Sequence, residues 1–326
     1  MLENVASAVI IPSYETMNSA LESLHTNAIA FSANVDATTL SNLRAAFVDA
    51  YIQFQHSKMF NFGPAEDYGV KAAMDTYPTD TASIEANITA GSYILGSAAN
   101  IDAIGLPALD YLLYFGGDME VLDQFTTAPA AANRKIYLTD LTLKMKSEFQ
   151  PVVDQWNGTY AATFQEADGV DVGSSTSLLF NEFVQDIELL KNAQIGIPGG
   201  QFSGGEPLQE MVSAYFSGQS KTLALENISG LLNCFKGANG LGFDDYILDV
   251  QGEDAQTDLA ADITAQFVLI EAKLNALGSV FSEDVMTNYS GFNAAFLEIK
   301  KLVTYTKTDM ASLLGLLVTY SDSDGD

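Results

Sequence analysis

The stretch Gly105-Leu106-Pro107-Ala108-Leu109-Asp110-Tyr111-Leu112-Leu113-Tyr114 places a single carboxylate in an otherwise apolar run. Leu106, Leu109 and Leu113 recur at i, i+3 and i+7, the spacing of one helical face. Pro107 lacks an N–H and its ring clashes backward, so it fits only a first helical turn or a kink. A helix therefore starts or restarts here, with Asp110 in or just after its first turn. An acid in that position either offsets the positive end of the helix dipole or belongs to a site.

Other chemistry-bearing residues are few. The only histidines are His25 and His56, each in a helical pattern, and neither His-Glu-x-x-His nor His-x-x-Glu occurs. A Ser-His-Asp triad or a two-histidine zinc site would need these few residues to converge. His56 lies one turn before Phe60-Asn61-Phe62-Gly63-Pro64 and is the better site candidate of the two. Tyr215, Ser217 and Ser220 stand at a predicted helix start, where hydroxyls cap the helix or bind a ligand. The ending Tyr320-Ser321-Asp322-Ser323-Asp324-Gly325-Asp326 is similar to the first half of a calcium loop. Calcium at Asp322, Asp324 and Asp326 is disfavoured, because no bidentate glutamate follows in the sequence. The one cysteine, Cys234, sits in an apolar run; it excludes an intramolecular disulfide and is expected to be a buried, inert thiol.

The elements that must position these residues are helical almost throughout. Apolar positions at helical spacing cover 14–31, 40–60, 81–103, 134–156, 175–193, 217–235 and 258–277, then 283–314 with a break near Tyr289-Ser290-Gly291. No alternation of strand type is longer than about five residues. The longest glycine-rich loop runs from Gln194 to Pro207. The turns Phe62-Gly63-Pro64 and Ile195-Gly196-Ile197-Pro198 lie about one domain length apart. This faint echo predicts an all-α fold of two helical bundles, 1–128 and 129–326, related by internal duplication. A helix is expected to kink at Gly105-Leu106-Pro107, with the site at the bundle interface.

Composition bounds the function. The chain of 326 residues carries 42 acidic against 14 basic side chains, a formal net charge of −28. Nucleic acid and anionic lipid are poor partners for such a surface. Hydrophobic residues make up 48%, enough to form a core. No apolar run is long enough for a transmembrane helix.

Phe60-Asn61-Phe62-Gly63-Pro64-Ala65, the Gly105–Leu113 segment, Tyr215-Phe216-Ser217-Gly218-Gln219-Ser220 and the ending from Tyr320 to Asp326, taken in order, resemble the imelysin-like proteins. These are related to iron-regulated bacterial envelope proteins and were once described as metallopeptidases. The family signature Gly-x-His-x-x-Glu falls on Gly105 to Asp110, with Pro107 in the histidine position and Asp110 in the glutamate position. Proline offers no ligand atom, so the metal pair is broken and a metallopeptidase is the least favoured reading; Asp110 alone is left as a metal ligand. The resemblance implies an exported protein, in the periplasm or at the cell surface and lipid-anchored in its precursor. It also implies non-catalytic binding of iron, haem or an envelope iron-uptake partner. The expected ligand-binding residues are Gly105, Pro107, Asp110, Tyr111, Phe62, Gly63, Pro64, His56, Tyr215, Ser217 and Ser220. A structural or adhesion module is the competing reading, with Asp110 serving only the helix dipole.

Overall fold

The computed structural model describes residues 1–252 and 258–320, and those residues contain helices, turns and no strand. The calcium reading of Asp322, Asp324 and Asp326 falls outside them. Ile11–Ala33 and Ala37–Ser57 form an antiparallel hairpin. Its turn is set by Asp36, whose side chain accepts from the Thr38 and Thr39 backbone N–H groups, satisfying donors that an unstarted helix leaves bare. Tyr14, Met17, Leu21, Leu24, Ala28 and Phe31 line the buried stripe of the first of these helices, as their spacing requires.

Ala131–Gln155 packs along Ile11–Ala33 and against the helix containing Asp110. The reason is in its own buried face: Tyr137, Leu138, Leu141, Met145, Phe149 and Val152 complete the core around Tyr14. Ser175–Leu189, Ser220–Phe235, Leu259–Asn275 and Tyr289–Val303 pack on one another in the C-terminal part. Ala37–Ser57 also packs against Ser220–Phe235, which ties the two parts together. Gly230 permits that approach, since a Cβ there would stand 3.1 Å from the His56 Cα. Cys234 is buried, and burial pushes its thiol up to about 12, so it stays protonated.

Two expected elements differ. The helix expected over 81–103 stops at Ala90, where Gly91 turns left-handed at φ 64° and donates its N–H to the Asn87 carbonyl. Residues 98–103 then form a tighter turn rather than continuing the helix. The expected break near Tyr289 comes slightly earlier. Asn288 caps a new helix by accepting from the Gly291 N–H, so Tyr289 is that helix's first residue.

Candidate functional site

The break at Gly105 is complete. Ile104 is extended, Gly105 has φ 78°, and a new helix runs to Tyr114 with Pro107 in its first turn. Only glycine fits at 105, because a Cβ would stand 2.5 Å from the Met74 carbonyl oxygen and the positive φ disfavours any side chain. Gly105 through Leu113 are all buried, so this is a core helix, and it carries Asp110 inward.

Asp110 is only 2% exposed. Its Oδ2 accepts from the Phe216 N–H at 2.8 Å and its Oδ1 from the Ser217 N–H at 3.0 Å. The carboxylate thus staples the 105–114 helix to the turn that precedes Ser220–Phe235. Burial pushes its pKa up to about 6, while hydrogen bonds from Ser217 and Phe216 pull it back toward the ordinary carboxylate range.

A cavity of about 270 Å³ opens beside the staple. Pro107 and Asp110 form one wall, Tyr77, Pro78, Thr79 and Thr81 a second, and Glu210, Val212, Ala214, Tyr215 and Phe216 a third. Ala214 adopts φ 46°, a left-handed turn that Gly218 repeats at 68°. These reversals bring the Phe216 and Ser217 N–H groups round to Asp110. Tyr111 leaves the cavity: its hydroxyl donates to Glu85 at 2.9 Å and its ring packs edge-on against Phe216.

Of the residues expected at the site, Pro107, Asp110 and Tyr215 line the cavity, and Ser217 holds Asp110. Gly105 shapes the backbone and Tyr111 supports Phe216. Ser220 donates to the Ser213 carbonyl and so fastens the same turn from below. His56 is elsewhere, paired with Glu226 at 2.9 Å. Phe62, Gly63 and Pro64 also lie apart. Phe62 stacks on Phe164 and meets Trp156, while Gly63 gives way to the Tyr160 ring. The lining residues Tyr77–Thr81 and Glu210–Ala214 were not foreseen, because irregular segments carry no periodic signal.

Behind Tyr77 lies a buried polar cluster. Lys58 pairs with Asp186 at 3.3 Å, and Asp186 accepts from Asn227 at 2.6 Å. The Tyr51 hydroxyl donates to Asp75 at 2.6 Å. Lys71 donates to Gln185 and stands 3.8 Å from Glu182. Burial pushes Glu182 up to about 7, with Lys71 opposing and Asp186 and Glu66 reinforcing. A carboxyl raised in this way favours folding when protonated. Its contribution is complete below the ordinary Glu range and is lost as pH rises through about 7. Stability should therefore fall by roughly 1–2 kcal/mol between pH 6 and 8 on this account. Denaturant melts of Glu182→Gln across that range should show most of the slope removed.

The imelysin family model matches residues 10–307. The chain belongs to the imelysin family. Two solved structures superpose on nearly all of it. One is an imelysin-like protein from Psychrobacter arcticum 273-4, with a TM-score of 0.79, 17% identity, and coverage of 98% of this chain and 96% of that one. The other is described as a "putative iron-regulated protein A precursor" from Parabacteroides distasonis ATCC 8503, with a TM-score of 0.80, 18% identity, and coverage of 96% and 94%. No curated protein sequence matches the chain.

The metal that the imelysin signature implies does not fit these residues. Pro107 brings no donor, which leaves Asp110 as a lone carboxylate where the signature pairs two ligands. Among the described residues, no three His, Cys, Asp or Glu side chains converge as a metal set.

Proposed function

We propose that this protein is a non-catalytic binding protein of the bacterial envelope, serving iron acquisition. In this reading its ligand, an iron complex, haem or an uptake partner, is taken at the Asp110 cavity. The observation that carries it is a buried carboxylate set in the wall of a concave, largely apolar cavity built from segments far apart in sequence. Such cavities with a few convergent polar groups and a displaced pKa are the usual form of ligand sites. The cavity lining holds no histidine and no nucleophile–base pair, which favours binding over catalysis. Family membership and the iron-regulated relative support the iron context and an exported location. We place the division between the two bundles after Glu166, because Ala131–Gln155 packs with the N-terminal helices.

The test is calorimetric titration with ferric citrate, haemin and envelope extract fractions from iron-starved cells. The wild type is compared with Val212→Trp, which fills the cavity. Saturable binding at micromolar levels, weakened at least about tenfold in the variant, is expected; a tenfold change corresponds to about 1.4 kcal/mol. Equal binding by both proteins would remove the cavity from the function. The staple itself favours a second reading, a structural or adhesion module, for which Val212→Trp would leave every interaction unchanged.

A further inference from the structure

We propose that the Asp110 cavity receives a primary ammonium group carried on a short aliphatic chain. This rests on the cavity being the ligand site and narrows that reading: anionic iron complexes and haem are disfavoured there, and a cationic ligand, free or carried by the partner, is favoured.

The lining holds two carboxylates, Asp110 and Glu210, and no lysine, arginine or histidine. An anion would face a buried acid with nothing to pair it, and the net charge of −28 favours the approach of a cation. The polar groups are rich in acceptors. The Asp110 oxygens take two backbone N–H groups and a hydrogen bond from the Ser217 side chain, whereas an ionised carboxylate offers about four lone-pair sites. Thr79 gives its hydroxyl proton to the Asp102 carbonyl at 2.8 Å, so only its lone pairs remain to offer. An ammonium brings three donors and no acceptor, which complements this set.

The remaining walls suit the rest of such a ligand. Tyr77, Tyr215 and Phe216 present aromatic surface, and Phe216 is braced edge-on by Tyr111, Phe115 and Tyr215 at centroid separations of 5.2, 6.0 and 5.1 Å. Ring faces attract cations, and Pro78, Pro107 and Val212 suit methylenes. The cavity's 270 Å³ falls at the small end of ligand sites, roughly 300–1,000 Å³. It matches a chain of a few carbons, either a free amine or a lysine side chain offered by a partner protein.

Binding should also depend on pH, because the ammonium needs Asp110 ionised. Tyr51 and Tyr114 interact with Asp110, and burial raises both hydroxyls, so they stay neutral between pH 5 and 8; Tyr215 and the acid Glu210 line the same cavity. The cation Arg44 is held over the Tyr114 ring, 4.6 Å from its centroid.

The test is amide NMR of the full chain titrated with n-butylammonium, n-butanol, butyrate and a lysine-containing peptide. Butylammonium should bind saturably and shift the Phe216 and Ser217 amides. Binding should weaken about threefold in Glu210→Gln and about tenfold for each pH unit below 6. Tighter binding of the peptide than of butylammonium assigns the ammonium to a partner's lysine; weaker binding assigns it to a free amine. Equal shifts from butanol or butyrate would overturn the ammonium chemistry while leaving the cavity as the site. No shift from any probe, with Val212→Trp also silent toward the iron and extract titrations, would overturn both.

Discussion

Asp110→Ala is expected to cost more stability at pH 5 than at pH 7.5, the reverse of what a surface ion pair would show. Two hydrogen bonds disappear, and the Phe216 and Ser217 N–H groups lose their buried acceptor. Losses of this kind run roughly 1–3 kcal/mol per group. Against them stands the cost of ionising a buried carboxyl, visible in the pKa near 6. Because that value is raised, the wild-type contribution is complete below the ordinary Asp range and is lost as pH climbs through about 6. The alanine protein has no such group to titrate. The expected destabilisation is about 2–4 kcal/mol at pH 5 and roughly 1–2 kcal/mol less at pH 7.5. Urea melts of both proteins at the two pH values check this. A larger cost at pH 7.5 would mean that Asp110 acts as a paired anion, and the account of the staple would be wrong. Far-UV circular dichroism of the variant should be unchanged, since the staple joins helices rather than forming them.

Much of this joint could be read from the residues. Gly105, Pro107 and Asp110 stood out because a helix-breaking pair before a lone acid in an apolar run is rare in a core helix. Tyr215, Ser217 and Ser220 marked a helix start, and that turn is what Asp110 grips. His56 and Phe62-Gly63-Pro64 misled for a shared physical reason. Residues that must pack closely, such as Gly63 under the Tyr160 ring, leave as distinct a pattern as residues that bind. Tyr77–Thr81 and Glu210–Ala214 were not legible at all. Their place in the cavity follows from chain reversals at Ala214 and Gly218 and from tertiary packing, neither of which has a period in sequence. The helix over 81–103 failed likewise, since one left-handed glycine outweighed a favourable apolar pattern.

The second large effect is expected at Lys58. Its ammonium is 5% exposed and lies 3.3 Å from Asp186, which is fully buried. Neither charge was legible as a partner of the other, because each sits in its own helical pattern with no local counter-ion. Lys58→Ala leaves Asp186 buried beside Asn227 without its cation, and it removes the charge that holds down the pKa of Asp75. Breaking a buried pair from one side costs roughly 3–5 kcal/mol, because an uncompensated charge remains. Removing both charges is a different matter, since desolvation of the pair offsets most of its attraction. Lys58→Met combined with Asp186→Asn should therefore be far closer to wild type than Lys58→Ala, recovering most of the loss in a double-mutant cycle. If the double variant is as unstable as the single one, the pair is held by packing around the lysine stem rather than by charge. The distinction bears on the cavity, because Asp186 also raises Tyr77, whose hydroxyl reaches back from the cavity toward this cluster. With the charges gone and the fold kept, a ligand that needs only Asp110 and Glu210 should bind the double variant as it binds the wild type.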